Sequence, residues 1–326
     1  MENTNLNNAS LALEKEAQKQ LRKEKRRKRR ENTIKEMKKY KHSYVMMAPY
    51  MILFLIFTII PVVMSIALSF TSFNMLEAPK FLGFTNYIRL FLEDDIFILS
   101  LKNTFILAIV TGPVSYLLAF IFAWLINELR PKLRAFMTLI FYAPSISGNA
   151  FLMWLLIFSG DANGYLNAFL LRMGFINDTI KFLKDPTYMM PVLILVQLWL
   201  SLGVSFLAFI AGLQSVDKTL YEAGAIDGVR NRWQELWYIT LPSMKPQLLF
   251  GAVMQITSSF SIAEVSMQLL GFPSVQYEGH TIVTHLIDYG SIQMELGYAS
   301  AIATILFMIM MGANILVRKV LRRVGE

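Results

Sequence analysis

Cysteine is missing from all 326 residues, which excludes a disulfide framework and any thiolate metal site. Charge is scarce too: Asp, Glu, Lys and Arg make up 17% of the chain, against 55% hydrophobic residues. A soluble domain of this length builds its core with a smaller apolar share, so the surplus calls for an apolar solvent. Histidine occurs three times, at His42, His280 and His285. The last two stand five positions apart, off the i, i+4 spacing of one helical face, which predicts solvated loop histidines rather than a metal pair. Asp161, Asp178 and Asp185 share no ligand spacing. The phosphate-cradling GxxxxGK[ST] is absent, so ATP hydrolysis of that kind is not in this chain. HExxH and GxSxG are absent as well, leaving nothing that points to a membrane-embedded hydrolase.

What is present is a series of long apolar runs, near 45–71, 103–127, 135–158, 188–213, 247–270 and 297–317. Each is long enough to cross a hydrocarbon core of ~30 Å as a helix. The runs predict an all-α integral membrane protein of about six transmembrane helices. Orientation follows from the 31 Lys and Arg residues. They concentrate in the tail before residue 44, in the 128–134 and 214–246 loops and beyond Arg318, which places those segments and both termini on the cytoplasmic side. The tail over 1–43 contains RKEKRRKRR at Arg22–Arg30. Such a run meets anionic lipid headgroups, so no nucleic-acid partner is needed to account for the formal charge of +8. No signal peptide fits this start. Glu264 is the one ionisable residue well inside a span, fewer than ion-coupled carriers usually carry, and no internal repeat is evident. The energy source therefore lies outside the chain.

The segment Tyr221-EAGAIDGVRNRWQELWYITLPSMKP carries the most information. Glu222–Ile226 predicts a short helix whose small residues Ala223, Gly224 and Ala225 allow close backbone approach. Asp227-Gly228 is a turn signal, because glycine readily takes positive φ. Arg232–Ile239 predicts a second, amphipathic helix presenting Trp233, Leu236 and Trp237, ended by Leu241-Pro242. The plain reading is an interfacial connector with its aromatic residues at the headgroups.

The same segment closely resembles the EAA loop of binding-protein-dependent ABC importer permeases, whose pattern is EAA, three residues, Gly, about nine residues, then I-x-LP. Glu222, Ala223, Gly228, Ile239, Leu241 and Pro242 match; Gly224 replaces the second alanine, and ten residues separate Gly228 from Ile239. APYMILFLIFTIIPVVMSIALSFTSFN, FLGFTNYIRLF from Phe81 and GLQSVDKTLYEAGAIDG from Gly212 resemble the carbohydrate-uptake branch, including its maltose-type and glycerol-phosphate-type permeases. The resemblance covers roughly 44–326. It implies an ABC type I importer permease fold, multi-pass in the cytoplasmic membrane of a prokaryote. The 214–246 loop is then a coupling loop docked on a cytoplasmic ABC ATPase dimer, with Glu222 as the charged contact and Asp227-Gly228 as the turn.

The implied partners are a second homologous permease, that ATPase dimer and an extracytoplasmic solute-binding protein meeting the outer loops at 72–102, 159–187 and 271–296. The chain itself binds no cofactor and is not an enzyme; ATP is used by the partner. Comparison with the maltose-type permease implies substrate-pathway positions at Tyr142 with Ser145 or Ser147 on the third span, Gln197, Leu200, Ser201 and Val204 on the fourth, and Thr257, Phe260 and Ser261 on the fifth, with Glu264 beside them. Neutral hydrogen-bonding groups and aromatic faces suit a carbohydrate, and an oligosaccharide above all. The polar members also suit interhelical hydrogen bonding. An ABC permease for a polyamine or an amino acid, an ATP-independent carrier and a membrane-embedded enzyme remain the alternatives.

Overall fold

The computed structural model describes residues 39–322, together with positions 24, 25, 28, 32 and 35–37. The basic tail lies, apart from these positions, outside the described residues. The chain divides into two compact units, residues 1–64 and 65–326, and all packing described below lies within the second.

Five helices are long and apolar enough to cross a membrane: Lys41–Leu68, Asp95–Asn127, Pro186–Ser215, Lys245–Leu270 and Leu296–Leu321. They are the first, second, fourth, fifth and sixth spans. The third is not the straight helix expected over 135–158. It consists of Pro131–Ile146 and Ala150–Ile157, bent by 83° at the break. Pro144 lies in the last turn of the first piece, and the chain turns through Ser147–Asn149, where Gly148 has φ +56°.

Local chemistry fixes where the helices start. Asp94 caps the second span by accepting from Phe97 N–H at 2.8 Å, and Asp185 caps the fourth by accepting from Thr187 N–H at 2.9 Å. These carboxylates satisfy amides that have no partner in the first turn. Pro131 and Pro186 occupy first-turn positions, where a missing N–H costs nothing.

Packing gathers the spans around three clusters. On the outer side of the second, fourth and fifth spans, Leu107, Met189, Leu193 and Leu269 are buried with Phe151 and Phe158. Towards the cytoplasm, Ala119 and Ala123 of the second span are buried with Phe206 and Phe209 of the fourth. Small residues let the backbones approach, and the Phe209 ring fills the space edge-on to Tyr116 at 5.3 Å and Phe120 at 5.7 Å. A third cluster joins Leu90, Phe97, Ile282, Tyr298 and Ile302. Strand is limited, among the described residues, to an antiparallel pair, Thr71–Ser72 with Lys80–Phe81.

Candidate functional site

The inner loop folds as the sequence predicts at its first helix and differently at its second. Asp217 caps a helix over Lys218–Ile226 by accepting from Thr219 N–H at 3.0 Å, a bond that holds its carboxyl below the usual range. Gly228, with φ +93°, ends that helix. Val229 N–H donates to Gly224 O at 2.9 Å and Gly228 N–H to Ala225 O at 3.4 Å, the paired bonds of a Schellman ending.

The second helix starts at Arg232, capped by Asn231, passes through a π-helical stretch Leu236–Thr240 and continues over Leu241–Ser243. Leu241-Pro242 therefore does not terminate it. The wider π turn carries the chain past the proline, and the break falls at Met244, with φ −92° and ψ 7°. Tyr221 Oη and Thr240 Oγ1 lie 3.0 Å apart and tie the helices together.

The small residues serve this internal contact. Gly224 is buried, and a Cβ there would lie 2.6 Å from Ile239 Cδ1, so a larger residue requires the Ile239 side chain to move. Glu222, Ala223, Ala225, Asp227 and Gly228 are exposed. Ile226, which the sequence reading left without a role, projects from the same knuckle at 88% exposure. The pair is anchored to the second span: Arg232 bridges Glu128 at 2.9 Å and Glu235 at 2.8 Å, and the Trp124 and Trp233 rings lie 5.2 Å apart. A polar cavity of about 500 Å³ opens here, lined in part by Glu128, Arg134, Lys218 and Arg232.

The expected pathway residues separate into three groups. Gln197, Ser201 and Phe260 are buried within the chain's own packing, and Phe260 packs edge-on to Phe105 at 5.9 Å. Tyr142, Ser145 and Leu200 are half-buried. Ser147, Val204, Thr257, Ser261 and Glu264 are exposed. The third, fourth and fifth spans are all interrupted near these positions, at Ser147–Asn149, Ser201–Gly203 and Ser261–Ala263. Ser145 Oγ donates to Leu202 O at 2.8 Å, and Thr281 Oγ1 donates to Ile262 O at 2.7 Å, so the carbonyls freed by two of the breaks are satisfied.

From residue 257 onward the exposed residues of the fifth span are all polar, a stripe of Thr257, Ser258, Ser261, Glu264 and Gln268. The opposite face, with Gly251, Ala252, Gln255, Ser259, Ile262, Ser266 and Leu269, is buried. A carboxylate facing lipid is costly, so this stripe meets either an aqueous path or another protein. Ser258 and Gln268 escaped the sequence reading, although Gln268 completes the i, i+4, i+7, i+11 recurrence of polar residues from Thr257, and Ser258 adjoins its first member.

A third cluster corrects the expectation of solvated histidines. His280 is 2% and His285 1% exposed. His285 Nε2 donates to Asp94 Oδ2 at 3.0 Å, because an ionised carboxylate only accepts. Its Nδ1 then accepts from His280 Nε2 at 3.2 Å, and Tyr298 donates to Asp94 at 2.7 Å. Burial alone raises the Asp94 pKa, but the bonds from His285, Tyr298 and Phe97 outweigh it and hold the carboxyl at about 2. Burial, with the neighbouring His285, lowers His280 to about 4, against the opposing pull of Asp94. Arg89 pairs with Glu295 at 2.6 Å and lies over the Tyr298 ring at 4.3 Å. The spacing of the two histidines carried no sign of this, since their partner Asp94 is 191 residues away from His285.

Comparison with known proteins adds lineage to this geometry. Residues 115–326 match the family model described as binding-protein-dependent transport system inner membrane component. The probable ABC transporter permease protein YesP of Bacillus subtilis is 34% identical over 271 residues, covering 82% of this chain and 86% of that protein. The arabinooligosaccharides transport system permease protein AraP of the same organism is 30% identical, covering 84% and 86%. The lactose transport system permease protein LacF of Rhizobium radiobacter is 31% identical, covering 71% and 76%. Among solved structures, a chain of a bacterial ABC transporter involved in the import of the acidic polysaccharide alginate aligns with TM-score 0.69 at 24% identity, over 90% of this chain and 99% of that one. The same score and identity hold for a chain of that transporter in complex with an alginate pentasaccharide-bound periplasmic protein.

Proposed function

Since the chain belongs to the family of inner membrane components of binding-protein-dependent transport systems, we propose that this permease subunit carries an oligosaccharide across the cytoplasmic membrane of a prokaryote, driven by ATP hydrolysis on a separate ATPase dimer. The transport systems named for arabinooligosaccharides and lactose support the carbohydrate class. The alginate transporter, seen with a periplasmic protein, supports delivery by an extracytoplasmic binding protein to the outer segments around 69–94, 158–185 and 271–295. A second homologous permease completes the pathway, and this chain holds no cofactor of its own.

The observation that carries the reading is the exposed knuckle Glu222–Gly228 on a braced helix pair at the cytoplasmic face. Closing of the ATPase dimer moves the knuckle. The Tyr221–Thr240 contact and the buried Gly224–Ile239 contact keep the two helices together. Through Arg232, Glu128 and the Trp124–Trp233 contact, the movement reaches the inner end of the second span. Through Ser243 and Met244 it reaches the fifth span, whose polar stripe lines the pathway. Co-purification from native membranes in mild detergent tests this. The wild type is expected to bring an ATPase, a second permease and a sugar-binding protein, and Gly228→Pro to lose the ATPase. A wild type that purifies alone, or a variant that keeps every partner, contradicts the reading.

A further inference from the structure

The fifth-span stripe has a chemical asymmetry. Four of its members, Thr257, Ser258, Ser261 and Gln268, are neutral hydrogen-bonding residues, and the fifth is a carboxylate. Glu264 is exposed and begins the helix Glu264–Leu270 directly after the interruption at Ser261–Ala263. It stands about 9 Å along the helix from the outer end of the span, at 1.5 Å per residue. Among the described residues it has no ion-pair partner. Lys102, at similar depth on the second span, is exposed and is not paired with it. The fourth span contains no Lys or Arg, and the basic residues of the third, fifth and sixth spans lie in their cytoplasmic turns. No described cation is paired with the carboxylate, and the low-dielectric walls of a narrow path focus the field of such a charge.

We propose that Glu264 makes this chain's share of the pathway electronegative, so that it passes neutral, hydroxyl-rich saccharides and disfavours those bearing uronate or sulfonate groups. This rests on the pathway reading above and sets the chain apart from the alginate transporter it resembles in fold. Toward a neutral sugar the carboxylate is an acceptor for hydroxyl donors, a charge-assisted bond stronger than a neutral one. Toward an anion it is a like charge that raises the barrier to passage.

The absence of cysteine allows a test that needs no knowledge of the sugar. Single variants Thr257→Cys, Ser261→Cys and Gln268→Cys, in the full chain co-expressed with its partners, are treated with a cationic and an anionic methanethiosulfonate of similar size. Modification of this chain is followed by mass spectrometry. Any change in thiol ionisation affects both reagents alike and cancels in the ratio of their rates. At Ser261→Cys the cationic-to-anionic ratio is expected to exceed that of a free thiol by about tenfold, and Glu264→Gln to bring it within about twofold. Labelling at a ratio that Glu264→Gln leaves unchanged overturns the electrostatic proposal while keeping the pathway reading. Protection of all three positions from both reagents, with the partners still co-purifying, means the stripe is packed against protein and overturns both.

Discussion

At the scale of the residue, Gly224 and the buried histidines make the sharpest demands. A Cβ on Gly224 comes too close only to Cδ1 of Ile239, at 2.6 Å, its next neighbours lying at 3.6 Å or more, and that atom is the free end of a flexible side chain. Alanine also removes the helix penalty of glycine, about 1 kcal/mol. Gly224→Ala is therefore expected to change stability by less than about 1 kcal/mol and to keep the ATPase bound. Gly224→Leu, which forces the helices apart, should cost about 1–3 kcal/mol. Thermal unfolding in detergent, with co-purification beside it, checks both.

The Asp94–His285–His280 chain gives a pH dependence. His280 stays neutral in the fold down to about 4 but protonates at its ordinary value of 6.5 once unfolded. The unfolded chain thus takes up the proton first, and stability falls with pH through that window, by at most about 3 kcal/mol. Asp94, held at about 2, contributes stability above the usual carboxylate range that is lost as pH falls towards 2. The midpoint temperature should decline from pH 6.5 to 4, and His280→Gln should flatten that decline. A wild-type profile flat across this range would contradict the assignment.

At the scale of the element, the interruptions in the spans matter more than the spans themselves. Thr281 links the fifth-span break to the outer segment, donating to Ile262 O at 2.7 Å and accepting from Thr284 N–H at 3.2 Å, with both groups buried. Thr281→Val leaves a carbonyl and an amide without partners, at a cost of about 2 kcal/mol. Thr257→Val, on the exposed stripe, removes only a bond to Val253 O within its own helix and should leave the unfolding temperature near that of the wild type. Equal destabilisation by the two would mean that the stripe is packed rather than free.

The elements also show what a sequence can reveal. Five of the six apolar runs coincide with helices long and apolar enough to cross a membrane, because bilayer thickness sets helix length directly. The turn at Gly228 was legible because its geometry is local. The bend at Ser147–Asn149 was not, since Pro144 inside an apolar run fits a tolerated proline as well as a broken helix. Nor was the inward face of Gln197, Ser201 and Phe260, which depends on how the fourth and fifth spans are rotated by packing. His280 and His285 were misread as solvated for the same reason: their burial depends on Asp94 and Tyr298, remote in the chain.

At the scale of the whole molecule, the chain is a conduit with its motor elsewhere. An exposed knuckle at Glu222–Gly228, a polar stripe over the outer half of the fifth span and the hydrogen-bonded Asp94–His285 cluster are joined by the second and fifth spans. The most direct test is uptake into proteoliposomes containing the assembled complex, with a loaded binding protein outside and ATP inside. Labelled oligosaccharide should accumulate only when ATP is present, and Gly228→Pro should abolish accumulation while the chain still inserts and keeps its unfolding temperature within a few degrees. Accumulation without ATP, or uptake by Gly228→Pro at the wild-type rate, would contradict the account.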